Sequence, residues 1–344
     1  MKPLTFTFIV LLFLSDLYAA ESALWKDFLD SQKGKGVPVL PDFSYAGYAH
    51  GERPIPKISG PIFRVEDYGA KADDNDNDSE AVQKAIDACA QAGGGVVLFS
   101  KGTYLINEDW DTATKPRLMI SNSGVVLRGA GKDEGGTILY SPKEMQPENP
   151  QNMWTGRPPI AARGFSYGSK KSQIKKSAPM NGFEITLSEG HPFAVGDRLM
   201  VRLIQKGALA AAMIAPREWA ERWKAGVYIR EFHEVAEVRG AKVRLAEPLM
   251  IAIDDSGAWD AQEVKFLSNI GFENLRFRGA WKDKFVHHRS WLDDSGWRGL
   301  QMVGVENSWV DQCVFENMNW ALHVQLCRQV TVQNVDIIGT PEHF

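Results

Sequence analysis

VDQCVFENMNWALHVQLCRQVTVQNVDI, residues 310–337, contains one six-residue pattern twice. VDQCVF at 310–315 and VQNVDI at 332–337 both read apolar, polar, polar, apolar, any, apolar, and their starts lie 22 residues apart. The runs are short and rich in β-branched and aromatic residues, which excludes a helical solenoid. A repeat of this length is one turn of a parallel β-helix, a fold in which each coil buries its core against its neighbours.

The same pattern stands upstream as FENLRF at 272–277, 38 residues before VDQCVF. The excess of 38 over 22 assigns sixteen residues to a loop projecting between those coils, within the stretch WKDKFVHHRSWLDDSGW at 281–297.

Nearer the start, FRVEDYGAK at 63–71 reads as a strand ending in a turn. From Asp78 onward Ala81, Val82, Ala85, Ile86 and Cys89 recur at helical spacing, and Gly93, Gly94 and Gly95 end the helix. GGGVVLFSKGTYLI, SGVVLRGAG and GGTILYS then supply short apolar strands separated by turn residues, which favours an all-β body. The acidic run KADDNDNDSEAV at 71–82 resembles a calcium loop at first sight. An EF-hand loop needs Gly at its sixth position and Glu at its twelfth, and a register starting at Asp74 puts Ser79 and Ala85 there. The run is read instead as a helix start, with Asp78 or Ser79 capping free N–H groups and Glu80 favouring the positive end of the helix dipole. RGAGKDEGG at 128–136 fails as a phosphate loop, because Glu134 stands where the third Gly belongs and no helix follows.

Between about 142 and 265 the rhythm is lost. Strands at DRLMVRL, HEVAEVRG and AKVRLAEPL and a helix at Pro216 to Lys224 read as a β-rich subdomain inserted into one β structure, with a separate domain as the competing reading. GSKKSQIKKS at 168–177 places Lys170, Lys171, Lys175 and Lys176 in a polar loop, either simply solvated or attracting an anionic glycan. Residues 21–60 have no clear period and read as an extended arm over the core.

With 344 residues and a hydrophobic share of 44%, the chain can bury a large core. A net charge of −4 gives no strong field, which argues against nucleic acid as a partner. Residues 1–20 have Lys2, an apolar stretch from Leu4 to Leu14 and the small residues Ala19 and Ala20, which reads as a secretory signal. The apolar stretch falls short of the roughly 20 residues of a spanning helix, and no later segment spans a bilayer. A secreted or periplasmic location follows. Cys89, Cys313 and Cys327 are an odd set, read as free thiols and not as a disulfide framework or metal ligands.

Taken together, Asp67 to Lys71, Asp73 to Asp78, Ala81 to Ala88, Gly93 to Gly95 and Gly102 to Tyr104 resemble the start of the pectate-lyase-like superfamily. Its members are right-handed parallel β-helices with an N-terminal capping helix. The resemblance covers 63–139 and 266–339 and specifies fold far better than reaction, since lyases, hydrolases, epimerases and phage tailspikes share it. With few coils after 266 and no cap before GTPEHF, the chain is expected to be a C-terminally incomplete member.

The resemblance implies a groove along one sheet, which directs attention to the loop and its neighbouring coils. His287, His288 and Arg289 from the loop and His343 from the chain end are the candidate catalytic residues. Trp297, Asp293, Asp294, Asp311 and His323 are the candidate substrate-binding ones. β-Elimination on a uronate polymer needs a cation to acidify the C5 proton, a base and an acid. Arg289 suits the first task, His288 or His343 the second, and Trp297 could stack on a sugar. For any one histidine the plainer alternative is an imidazole that pins the loop. Hydrolysis asks for two carboxylates, for which Asp293, Asp294 and Asp311 are available, but the N-T-D strand, G-H-G and R-x-K that a polygalacturonase-like set would carry in later coils do not appear there. The expected function is eliminative cleavage of an acidic polysaccharide by a monomer, with glycoside hydrolysis or a glycan-binding, tailspike-like module as alternatives. Calcium is common among pectate lyases, yet no ligand set for it, or for another metal or cofactor, is evident.

Overall fold

The computed structural model describes residues 22–36, 38–106, 118–147, 149–205, 227–255 and 258–339. The segment 1–20 read as a secretory signal, the helix expected at 216–224 and His343 lie outside these residues. No helix among the described residues is long and apolar enough to cross a membrane.

The fold is a parallel β-helix with three parallel sheets running along it. The first coil contains Gly95–Leu98, Gly102–Leu105 and Leu118–Ile120; the second, Val125–Arg128, Thr137–Ser141 and Ile160–Arg163. The third contains Gly271–Glu273, Arg276–Gly279 and Arg298–Val303; the fourth, Val305–Asp311, Val314–Glu316 and Trp320–Gln325. Arg328–Gln333 and Asp336–Ile338 belong to the fifth. Register stacks like on like: Val97, Leu127, Phe272 and Val310 form one interior column that exposed Val332 of the fifth coil continues. Tyr104, Leu139, Phe277, Phe315 and Ile337 form another, in which the Phe277 and Phe315 rings stack 4.9 Å apart.

The six-residue pattern has a backbone cause. Its third position, Asn274, Gln312 or Asn334, has φ between 53° and 55° and turns the chain from the first sheet into the second. Asn tolerates this left-handed conformation better than most side-chain-bearing residues. The apolar positions on either side of the turn point inward, so Phe272, Leu275 and Phe277, like Val310, Cys313 and Phe315, are at most 1% exposed.

The helix Ser79–Gln91 covers the first coil with Val82, Ala85, Ile86 and Cys89 facing the core. The acidic run before it does something other than expected, because the Asp78 side chain makes no cap hydrogen bond. Its carboxylate is 4% exposed and accepts from the Lys71 N–H at 2.8 Å and the Leu105 N–H at 3.0 Å, fastening the turn to the strand Gly102–Leu105. Asn77 Oδ1 takes the Ser79 N–H at 3.0 Å instead. Burial, reinforced by Asp74 and Asp76, outweighs those two N–H groups and raises the Asp78 carboxyl to about 6.

The arm carries a helix, Ala23–Gln32, that its sequence did not suggest. Farther on, Tyr48, Ile55 and Ile58 cover the outward-facing Val96, Val126 and Trp309 of the first sheet. Trp309 lies where the third coil has Gly271; a Cβ there would come within 2.6 Å of the indole, so only Gly fits.

Between the second and third coils stands a six-stranded antiparallel sheet with its own apolar core, in the order Ser166–Gln173, Trp259–Lys265, Arg198–Gln205, Val227–Arg239, Lys242–Leu245, Glu184–Thr186. It begins at Ser166 and not near 142, because Ile160–Arg163 pairs in parallel with the coil strands on either side. The lysine-rich segment is a strand of this sheet for most of its length and not a loop. Lys170 binds Asp197 at 2.6 Å and Lys171 lies 3.4 Å from Asp260, so neither is free to attract an anionic glycan.

The subdomain, arm and turn between the fourth and fifth coils meet around a cavity of about 420 Å³, lined in part by Glu231, His233, Glu247 and Arg328. Arg328 donates to Glu306 at 2.7 Å and also to Glu247, which takes His50 Nε2 at 2.8 Å. These contacts tie the subdomain and the arm to the helix, and the cluster serves as a joint between them.

Candidate functional site

The loop 280–297 is bolted down. The Asn319 amide donates to the carbonyls of Leu292 and Asp293 while its oxygen takes the Trp297 N–H at 3.1 Å. Ser295 Oγ accepts from the Gly156 N–H at 3.0 Å and donates to the Met153 carbonyl. Within the loop, Asp293 is fully buried and accepts from Arg289 Nε at 3.0 Å, Arg289 Nη2 at 2.8 Å, Ser290 Oγ at 2.9 Å and the Val286 N–H at 3.1 Å. Burial pushes that carboxyl up, but the hydrogen bonds from Arg289, Val286 and Ser290 outweigh it and hold it below the usual range.

Two expectations change as a result. Arg289 is committed to Asp293 and so is poorly placed to neutralise a substrate carboxylate, and Asp293 is closed to substrate. Trp297, at 8% exposure, offers no face to a sugar. Asp311 is removed from the group altogether: it ends a strand of the first sheet, where its Oδ1 accepts from Asn334 Nδ2 at 2.8 Å.

His288 remains open. Its Nδ1 lies 2.6 Å from Asp294 Oδ2, and its main-chain N–H donates to Asp294 Oδ1 at 3.0 Å. Asp294 as a carboxylate can only accept, so Nδ1 carries a proton, and in the neutral tautomer this selects, Nε2 presents the lone pair. The exposed His287 ring stacks on His288 with centroids 3.6 Å apart.

The strand that follows the loop opens a second group on the outer face of the third sheet. Register places Gln301 beside His323, and Gln301 Nε2 lies 3.1 Å from His323 Nδ1. Gln301 Oε1 accepts from Arg163 Nε at 3.0 Å and Nη2 at 2.5 Å, which leaves its NH₂ to donate to the imidazole. His323 is thereby fixed with an acceptor at Nδ1 and a proton at Nε2, the opposite tautomer to His288. Burial and then the charges of Arg298 and Arg163 lower its pKa and keep it neutral.

Arg298 is 7% exposed, lies 3.8 Å over the Trp320 ring and donates to the Trp154 carbonyl. Its Nε has no partner among the described residues. Burial, followed by repulsion from Arg163, lowers it to about 10. Arg163 is likewise lowered by burial and by Arg157. Cations concentrated without a carboxylate beside them are costly to hold in place, and an arriving anion relieves that cost. Trp154, 58% exposed, supplies an apolar surface on the segment whose carbonyl accepts from Arg298. Of the sequence candidates only His323 belongs to this group. Arg163, Gln301, Arg298 and Trp154 were not anticipated, since only strand register brings them together.

Residues 62–155 match the family model described as rhamnogalacturonase A/epimerase, pectate lyase-like. That match covers the capping helix, the first coil and most of the second, and the stacked parallel sheets agree with the β-helix fold its description implies. The chain is similar to the plasmin and fibronectin-binding protein A of Streptococcus pneumoniae, 28% identical over 134 residues, covering 39% of this chain and 18% of that protein. It is also similar to alginate lyase 7 of Azotobacter vinelandii, 42% identical over 72 residues, 21% of this chain and 8% of that protein. Among solved structures, the tailspike gp49 of Pseudomonas phage LKA1 aligns with a TM-score of 0.53 at 16% identity, over 80% of this chain and 42% of that one. The chain thus spans less than a fifth of these two relatives and less than half of the tailspike.

Proposed function

We propose that the chain is the β-helix of an exported enzyme that cleaves an acidic, uronate-bearing polysaccharide by β-elimination. The observation that carries this reading is the cationic outer face of the third sheet, where Arg163 and Arg298 have no carboxylate counter-ion among the described residues and His323 is locked as a donor beside them. The similarity to an alginate lyase supports it, as does the leader-like segment at 1–20.

In this mechanism exposed Arg163 meets the uronate carboxylate, with the buried charge of Arg298 behind it adding to the positive field, which acidifies the C5 proton. His288 Nε2, its imidazole oriented by Asp294, removes that proton. The electron pair forms the C4–C5 double bond as the C4–O bond breaks, and His323 Nε2–H protonates the departing oxygen. Trp154 stacks on a neighbouring sugar. This retains His288 as base and transfers the role assigned to Arg289 to Arg163 and Arg298.

The test is incubation of the full-length protein with alginate, pectate and glycosaminoglycans. Ultraviolet-absorbing unsaturated uronate ends are expected from at least one of them. Reducing ends without that absorbance would replace the reading with hydrolysis, and binding without cleavage would replace it with a glycan-binding module. The matched family description also includes an epimerase, and inversion at C5 without chain cleavage would identify that outcome, since it shares the proton-abstraction step.

A further inference from the structure

His287, His288 and Asp294 each bring one ligand atom into a group whose members all lie within 4.8 Å of one another. We propose that this trio binds one divalent transition-metal ion, zinc or copper, and that the bound ion switches the base off. Two imidazoles and a carboxylate suit these borderline ions, whereas calcium takes six to eight oxygens.

The carboxylate is already set. Its Oδ1 is anchored by the His288 main-chain N–H, at a residue whose φ of 60° folds the ring back over the loop, and its Oδ2 faces the imidazole. Such anchoring of a ligand is what holds a metal site in shape. Zinc with bonds of about 2.0–2.1 Å places its donors roughly 3.3 Å apart, so the Nδ1 to Oδ2 distance of 2.6 Å must widen modestly and His287 must swing inward. Both rings are exposed, with the His288 side chain at 60%, so rotation is unobstructed and the remaining coordination positions face water.

The ion takes the place of the proton shared by His288 and Asp294. That proton moves to Nε2 with none released on balance, and His288 is left with Nδ1 on the metal and a proton on Nε2. It then has no lone pair with which to accept the C5 proton. This inhibitory half rests on His288 acting as the base; the binding half does not.

The test uses the full chain without a polyhistidine tag. Calorimetry with Zn²⁺ and electron paramagnetic resonance with Cu²⁺ should show one equivalent bound, with imidazole nitrogen coupling in the copper spectrum. Binding should weaken about tenfold or more in His287→Ala and in Asp294→Asn. Turnover of the wild type should fall on adding Zn²⁺ and return with EDTA, while whatever turnover His287→Ala has should resist Zn²⁺. Absence of binding, or equal binding by both variants, overturns the site. Tight binding that leaves turnover untouched keeps the site and overturns the switch, and with it the role of His288 as base.

Discussion

His288 Nδ1 and Asp294 Oδ2 lie 2.6 Å apart, and Gln301 Nε2 donates to His323 Nδ1 from 3.1 Å, so the two histidines present opposite faces of the same chemistry. One offers a lone pair and the other a proton. An elimination requires both, from separate groups.

Replacing His288 by Ala is expected to lower kcat about 100-fold or more with little change in KM. Asp294→Asn should also lower kcat, because an amide can donate to Nδ1 and favour the wrong tautomer. Steady-state kinetics on the best acidic glycan decides this, and a His288→Ala enzyme with unaltered kcat would end the assignment.

Arg163→Ala should raise KM about tenfold on acidic substrates, in line with loss of one charge-assisted hydrogen bond, and should flatten the dependence of KM on salt. Circular dichroism should be unchanged, since Arg163 lies on the outside of its strand. A KM that stays constant would show that the anion is recognised elsewhere.

Gln301→Leu removes the link between Arg163 and His323 while keeping the side chain's bulk. His323 is then free to adopt either tautomer, and kcat should drop about tenfold, most severely on substrates with poor leaving groups. Equal losses on good and poor leaving groups would refute His323 as the proton donor.

Asp78 gives a pH dependence of stability. Its carboxyl titrates near 6 in the folded chain against an ordinary value of 3.8. Between these values the folded state binds more protons than the unfolded one, so this group's contribution to stability falls as pH rises through the interval. Urea unfolding at pH 4 and pH 7 should therefore show a larger advantage of wild type over Asp78→Asn at the lower pH. A constant difference would show that Asp78 titrates normally.

Arg328→Ala takes the guanidinium from buried Glu247 and leaves Glu306 with Arg198 alone, which should destabilise the chain by about 3 kcal/mol. Chemical denaturation measures it, and a loss below about 1 kcal/mol would mean that the joint at the cavity is more hydrated than its burial suggests.

The coils were legible in the sequence because one backbone requirement recurs. Each turn needs a residue tolerant of left-handed φ, flanked by apolar residues that face inward, and Asn274, Gln312 and Asn334 meet that need with a visible spacing. The site was less legible. The run of His, Arg and Asp at 287–294 drew attention, but a sequence does not reveal that Asp293 faces inward and occupies Arg289. Nor does it reveal that Arg163, Gln301 and His323 are neighbours, because that depends on the register of three coils separated by the inserted sheet. The acidic run misled in a similar way: helix capping is a local rule, while Asp78 is held by a strand 27 residues away.

The inserted sheet also bears on the order of assembly. Arg128 meets Glu273 across 145 residues, so the third coil cannot simply add to the second as the chain emerges. Within the insertion, Ser166–Gln173 pairs antiparallel with Trp259–Lys265, which returns the exit strand to the point of entry. Once that clasp has formed, the stretch the β-helix must close is short, and little further entropy is lost in closing it. The insertion is therefore expected to fold first and to set the rate at which the coils below it can zip together.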